Sequence, residues 1–204
     1  RLRGGCVQVN GATSTAHDHP LQVDDEIIVH SKAMATVRRP DKSGLVTLYE
    51  DSDRIVIDKP PGLLSVATTK ETERTALALV RESLAGPRSR APVRVWPVHR
   101  LDRETSGVLL FATSHDLCKE LQRGWFSAQK TYLAVVSGQP DPPDGVIDEP
   151  LWEDPSLQVH VGRRPTSRDA ITRYTTREVR RERSLLEVGL ETGRRHQIRA
   201  HLTW

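Results

Sequence analysis

His99-Arg100-Leu101-Asp102-Arg103-Glu104-Thr105-Ser106-Gly107 is the stretch around which the rest of the chain reads. It follows Val95-Trp96-Pro97-Val98 and leads into Val108-Leu109-Leu110-Phe111-Ala112. Pro97 fixes its own φ and holds Trp96 extended. The run after Gly107 is short, apolar and partly β-branched, which predicts a buried strand. The residues between therefore form a charged connection entering a buried strand. Flanking Arg100 and Arg103 favour the ionised form of a carboxylate there. Two roles fit Asp102: a structural ion pair, or a reactive group held in a basic cleft.

Outward from this stretch the pattern is mixed. Val46-Thr47-Leu48-Tyr49 and Arg54-Ile55-Val56-Ile57-Asp58 read as a hairpin around Asp51-Ser52-Asp53, and Lys59-Pro60-Pro61-Gly62 as a rigid corner. Apolar residues from Glu73 to Leu84 recur near helical spacing, with Gly86-Pro87 beyond them. Ser114 is an N-cap candidate for a helix reaching about Phe126, with Trp125 and Phe126 read as core. Thr131 to Val136 is a strand, Gln139 to Trp152 a long Pro-, Asp- and Gly-rich loop. Ala170 to Thr175 and Ser184 to Leu190 form an antiparallel pair. His196 to Leu202 is a short helix expected to carry Arg199 inward. Nearer the start, Val7-Gln8-Val9, the Asn10-Gly11 turn and Glu26-Ile27-Ile28-Val29 make a compact β unit, joined by the polar linker Arg38 to Gly44.

The chain has 204 residues, 36% hydrophobic and 28% charged, with mean hydropathy −0.51. No run approaches the roughly 20 apolar residues of a membrane span, and the basic opening Arg1-Leu2-Arg3 is not followed by the apolar core of a signal peptide. Cys6 and Cys118 are too few for a disulfide framework or a zinc site, so a reducing, cytosol-like compartment is expected. His17-Asp18-His19 reads as a polar turn, since no further ligands accompany it. Net charge is +3 and the pI about 9.1. Arginine clusters at Arg88, Arg90 and Arg94, at Arg100 and Arg103, at Arg163, Arg164 and Arg168, and at Arg194, Arg195 and Arg199 suit a polyanion met on one face. The run Arg177 to Arg183 includes Glu178 and Glu182 and reads as a solvated surface. His99, Asp102 and Ser106 do not make a hydrolase triad by sequence, because no Gly-x-Ser-x-Gly elbow is present.

Four stretches in order carry a resemblance. They are Lys59-Pro-Pro-Gly-Leu-Leu-Ser65, His99-Arg-Leu-Asp-x-x-Thr-Ser-Gly107, Lys130-Thr-Tyr-Leu-Ala-Val-Val136 and Thr192-Gly-Arg-Arg-His-Gln-Ile-Arg-Ala-His-Leu202. Together, from about Leu45 to the end, they resemble the RluA family of RNA pseudouridine synthases. Residues 1–38 resemble the second half of an S4-like RNA-binding domain plus linker, and 39–204 a catalytic domain. The fold implied is α+β, with a largely antiparallel central sheet and flanking helices. Members of the family usually continue past Trp204 with a closing segment, so the expectation is that the sequence is a piece of a longer chain.

The resemblance implies roles residue by residue. Asp102 is the essential catalytic carboxylate, Arg199 the arginine that pairs with it, and Tyr132 the tyrosine that stacks on the target base. Arg100 corresponds to the residue that fills the space left by a flipped base. Arg103, Lys130, Arg194, Arg195 and Lys59 are expected at the RNA surface; the family often has Thr where Arg195 stands. No metal, cofactor or membrane is expected, and the partner is RNA, met by a monomer. The activity implied is isomerisation of uridine in structured RNA, first in large-subunit ribosomal RNA, then in transfer RNA. The rival is a non-catalytic RNA-binding protein or RNA-folding helper on the same fold.

Overall fold

The computed structural model describes residues 7–14, 16, 18–29, 44–69, 71, 74–85 and 93–204. Cys6, His17, Arg88, Arg90 and the linker through Ser43 lie outside the described residues. The chain forms two compact units, one ending at Arg123 and one beginning at Gly124.

The first unit opens with a three-stranded antiparallel sheet of order β2-β1-β3, made of β1 (Val7–Val9), β2 (Ala12–Ser14) and β3 (Ile27–Val29). Asn10 and Gly11 take φ of 50° and 79° at the turn between β1 and β2, the left-handed values a tight hairpin requires. The Asn10 side chain receives the Glu26 N–H at 2.9 Å and donates to Asp25 at 2.7 Å, which fixes the entry to β3.

The main sheet of this unit is four-stranded, of order β4-β5-β7-β6. It contains β4 (Val46–Glu50), β5 (Arg54–Lys59), β6 (Trp96–Pro97) and β7 (Gly107–Ala112), all antiparallel. The β4–β5 hairpin closes on Asp51, whose carboxylate accepts the Asp53 and Arg54 N–H groups and the Tyr49 hydroxyl at 2.7–2.8 Å. Ile55 and Ile57 of β5 and Leu109 and Phe111 of β7 are buried, each such side chain stabilising the fold by about 2 kcal/mol. Lys59 continues the buried alternation of β5, an unusual place for an ammonium group.

Two helices accompany this sheet, one between β5 and β6 and one after β7. Helix α1 (Ala76–Leu84) is capped by Thr75, whose hydroxyl accepts the Ala78 N–H, and it buries Ala76 and Val80 at i, i+4. Helix α2 (His115–Arg123) is capped by Ser114, which accepts the Leu117 N–H. It stops at Gly124 rather than running to Phe126. Trp125–Ser127 tightens into a 3-10 turn, and Phe126 is 81% exposed instead of lying in the core. The change to 3-10 turning, with the Ser127 and Ala128 N–H groups bonded to the carbonyls three residues back, takes the chain off the 3.6-residue period, so the expected apolar stripe does not continue.

The second unit carries the sheet β8-β13-β12-β9, with β8 (Lys130–Ser137), β9 (Asp144–Asp148), β12 (Ile171–Arg180) and β13 (Arg183–Leu190). Strands β10 (Leu151–Glu153) and β11 (Val159–Val161) form a separate antiparallel hairpin. Helix α3 (Gln197–Thr203) follows β13. The long loop expected over Gln139 to Trp152 thus contains the edge strand β9, paired to β12 from Asp144 to Asp148. Its prolines stand outside the pairing, where no ladder donor is lost. The run from Arg177 to Arg183 forms the ends of the β12–β13 hairpin, and Arg177–Glu187 and Arg180–Glu178 pair on its surface. The α+β class with a largely antiparallel sheet stands as read from sequence.

Candidate active site

In the first unit, Asp102 lies in the connection from β6 to β7 and is half-buried. Its two neighbours are held by one segment, the corner after β5. The Leu101 N–H donates to the Ser65 hydroxyl at 2.9 Å, and that hydroxyl donates back to the Leu101 carbonyl at 2.7 Å. The Arg103 carbonyl accepts the Gly62 N–H at 2.9 Å and the Lys59 ammonium at 3.0 Å. The backbone is therefore pinned immediately before and after Asp102. The Thr105 N–H closes a turn onto the Asp102 carbonyl at 3.1 Å. Gly62 holds φ of 81° at the corner, a conformation costly for any residue with a Cβ.

Lys59 was expected at the RNA surface, and the structure corrects this. Its side chain is fully buried, and Nζ donates to the carbonyls of Pro60, Leu63 and Arg103 at 2.7–3.0 Å. An ammonium has three donors, and all three are used. Burial lowers its pKa, opposed by the negative charges of Glu104 and then Asp102. The sequence signal for this role was the Lys-Pro-Pro-Gly corner itself; the distant partner, the Arg103 carbonyl 44 residues on, was not visible there.

His99 also turns inward. The Leu110 N–H donates to its Nε2 at 3.2 Å, which requires that nitrogen to be unprotonated. Burial pushes its pKa down to about 4, against a smaller opposite effect of the Arg100 backbone. His99 thus closes the connection onto β7 as a neutral ring. Arg100 is exposed. Arg103 is exposed as well, with its guanidinium paired to Glu71 at 2.7 Å.

In the second unit, Tyr132 lies on β8 opposite Val188 of β13, half-buried on the same face as Lys130, Ala134 and Val136. Lys130 was expected at the RNA surface; its ammonium instead reaches the Ala128 carbonyl at 2.8 Å and the Trp125 carbonyl at 3.3 Å, closing the 3-10 turn. Arg194 donates to the Asp169 carbonyl at 2.9 Å, and Arg195 pairs with Glu153 at 3.3 Å.

Arg199 is on α3 but is exposed, not directed inward. The inward positions are Gln197 and His201, one turn apart. Gln197 donates to the Ile171 carbonyl and the Thr172 hydroxyl at 3.0 Å, and accepts from Thr192 and the Arg194 N–H at 2.9 Å. His201 spans Thr172 and the Glu149 carbonyl at 2.8 and 2.9 Å, and burial lowers its pKa. A helix turns 100° per residue, so Arg199 points away from the face that Gln197 and His201 fix to β12. Both polar anchors belong to the last motif; the motif contained them, but nothing in the pattern told anchor from functional group.

The model of the family described as RNA pseudouridylate synthase matches residues 53–204, which include both pinned loop and helix α3. The chain belongs to this family. An uncharacterized RNA pseudouridine synthase of Mycobacterium bovis is 34% identical over 97% of the chain and 66% of its own length. The ribosomal large subunit pseudouridine synthase D of Xanthomonas campestris is 33% identical over 98% of the chain and 60% of its own length. The chain thus spans less than two thirds of these relatives. Among solved structures, human RNA Pseudouridylate Synthase Domain Containing 4 superposes with a TM-score of 0.63 at 27% identity, covering 77% of the chain and 63% of its own. Family membership gives the pinned aspartate a chemical context that its hydrogen bonds alone do not.

Proposed function

We propose that this protein is an RNA pseudouridine synthase whose catalytic carboxylate is Asp102, acting on uridine in large-subunit ribosomal RNA. The observation that carries the reading is the double clamp on the backbone around Asp102, within a chain of the pseudouridylate synthase family. A half-exposed side chain whose backbone is pinned on both sides suits a group that must meet a substrate atom in one geometry.

The reaction breaks the N1–C1′ bond of uridine, turns the ring and rejoins it through C5. The C5 proton is lost and N1 regains one, so the product is an isomer. The base leaves its stack first, because its ring atoms are otherwise out of reach. Asp102 serves as nucleophile toward C1′ or C6, or as base toward the ribose; an ionised carboxylate suits each of these. Tyr132 and Arg199 are assigned to the reaction on their motifs, Tyr132 as the ring that stacks on the base. Arg100 enters the place of the flipped base. The choice of ribosomal RNA is supported by the name of the Xanthomonas relative.

The test is site-resolved mapping of pseudouridine in ribosomal and transfer RNA from cells with the intact gene and cells carrying Asp102→Asn. The expected result is loss of one or a few sites in large-subunit RNA. Loss confined to transfer RNA would correct the substrate, and no loss at all would overturn the enzymatic reading.

A further inference from the structure

The cluster Arg163, Arg164 and Arg168 has no part in the chemistry above, yet it forms an ordered basic surface on the second unit. On the β10–β11 hairpin, Trp152 and His160 are cross-strand partners, and their rings stack with centroids 4.5 Å apart at 22°. The Arg164 guanidinium lies over the Trp152 ring, 4.7 Å from its centre. A guanidinium held over a ring by cation–π attraction keeps its N–H donors available for hydrogen bonds. Among the described residues no carboxylate takes these donors. The nearby Asp154 is already engaged, accepting from Ser156, from the Gln158 N–H and from His160 at 2.6–3.0 Å. Those partners hold its carboxyl well below the usual carboxylate range, Ser156 first and His160 next.

The turn that carries the arginines is rigid. The Arg164 N–H donates to the Ser167 hydroxyl, which in turn donates to the Gly162 carbonyl, at 2.7 and 2.8 Å. Leu151 and Arg168 exchange both backbone hydrogen bonds at 2.8–2.9 Å. The result is an open depression of about 380 Å³ lined by Pro150, Arg163, Arg164, Pro165, Ser167 and Asp169. It has two cationic side chains and one acidic one on its walls, with Arg168 adjoining in the turn.

We infer that this depression is a backbone-phosphate anchor for the RNA, with Trp152 holding Arg164 ready to bind. The inference rests on the reading of the protein as an RNA-modifying enzyme. A pre-oriented planar fork matches a phosphate at two points and loses less side-chain freedom on binding than a mobile arginine. The contact carries no base code, so it serves to hold RNA in place rather than to select a sequence.

The test is titration of a labelled stem-loop RNA with a uridine-rich loop at several salt concentrations. Arg164→Gln is expected to weaken binding about fivefold to tenfold and to make the slope of log K against log salt shallower by about 1. Trp152→Leu removes no charge, yet is expected to give part of the same weakening, because the guanidinium is then unheld. Arg180→Gln, on the far hairpin and paired with Glu178, removes the same charge and is expected to leave affinity within about twofold. Unchanged affinity and slope in Arg164→Gln would overturn the anchor, and so would an equal loss in Arg180→Gln. Wild-type affinity in Trp152→Leu would remove the tryptophan from the mechanism. Asp102→Asn separates the two readings: it is expected to bind normally without isomerising. Activity in that variant would sink the enzymatic reading and leave the Arg164 result standing on binding alone.

Discussion

Ser65→Ala is the sharpest perturbation of the proposed site, because one hydroxyl holds both backbone groups of Leu101, the residue before Asp102. Ser65 and Leu101 are both buried, so no solvent replaces the lost partners. Each bond contributes about 1 kcal/mol net, and the stranded Leu101 N–H adds a desolvation penalty, so the expected loss of stability is about 2–3 kcal/mol. Typical domains have about 5–15 kcal/mol in total, so the variant still folds at room temperature. The catalytic effect is separate. Freeing one side of the Asp102 backbone permits displacements near 1 Å, which cost on the order of a hundredfold in rate. Urea unfolding gives the first quantity. Release of tritium from C5-labelled uridine in RNA gives the second, measured where the variant is fully folded. The expected pattern is a fall in kcat larger than the change in KM. A folded Ser65→Ala protein with wild-type kcat would refute the idea that the clamp positions Asp102.

Three further outcomes are expected. His99 has a folded pKa of about 4 against an ordinary value near 6.5, so the unfolded chain binds a proton that the folded one refuses; its contribution to stability is complete above pH about 6.5 and falls by about 3 kcal/mol as pH drops toward 4. His99→Gln should remove that part of the acid sensitivity, read as a smaller difference in unfolding free energy between neutral and acidic buffer. Lys59→Met should destabilise by about 3 kcal/mol, since buried carbonyls lose their donor, and Lys59→Arg should not restore it because a guanidinium does not fit a cage built for an ammonium; equal urea midpoints for Lys59→Met and wild type would count against the cage. Gln197→Leu should cost about 3 kcal/mol or more and raise amide exchange along α3, which hydrogen–deuterium exchange would resolve.

Much of this architecture was written in local pattern. A short, apolar, partly β-branched run located β7, the Asn10-Gly11 pair located the first hairpin, and Ser114 marked the start of α2 through a short-range cap. What was not legible depends on partners far along the chain. Lys59 reads as a surface charge until the Arg103 carbonyl, 44 residues away, is brought beside it. Strand β9 sits among prolines and acids that signal a loop, and only its pairing with β12 makes it a strand. Phe126 reads as core while the helix is assumed to continue, but the helix ends at Arg123 and a 3-10 turn follows. Arg199, Gln197 and His201 share one short motif, and which of them faces β12 is decided by the buried Thr172, not by the motif.

The central claim is that Asp102 performs the isomerisation, and the most direct measurement is tritium release from C5-labelled uridine in ribosomal RNA by purified wild-type and Asp102→Asn protein at matched RNA occupancy. Release by the wild type and none above background by the variant, with both binding RNA equally well, is the expected result. Release at the wild-type rate by Asp102→Asn would contradict it.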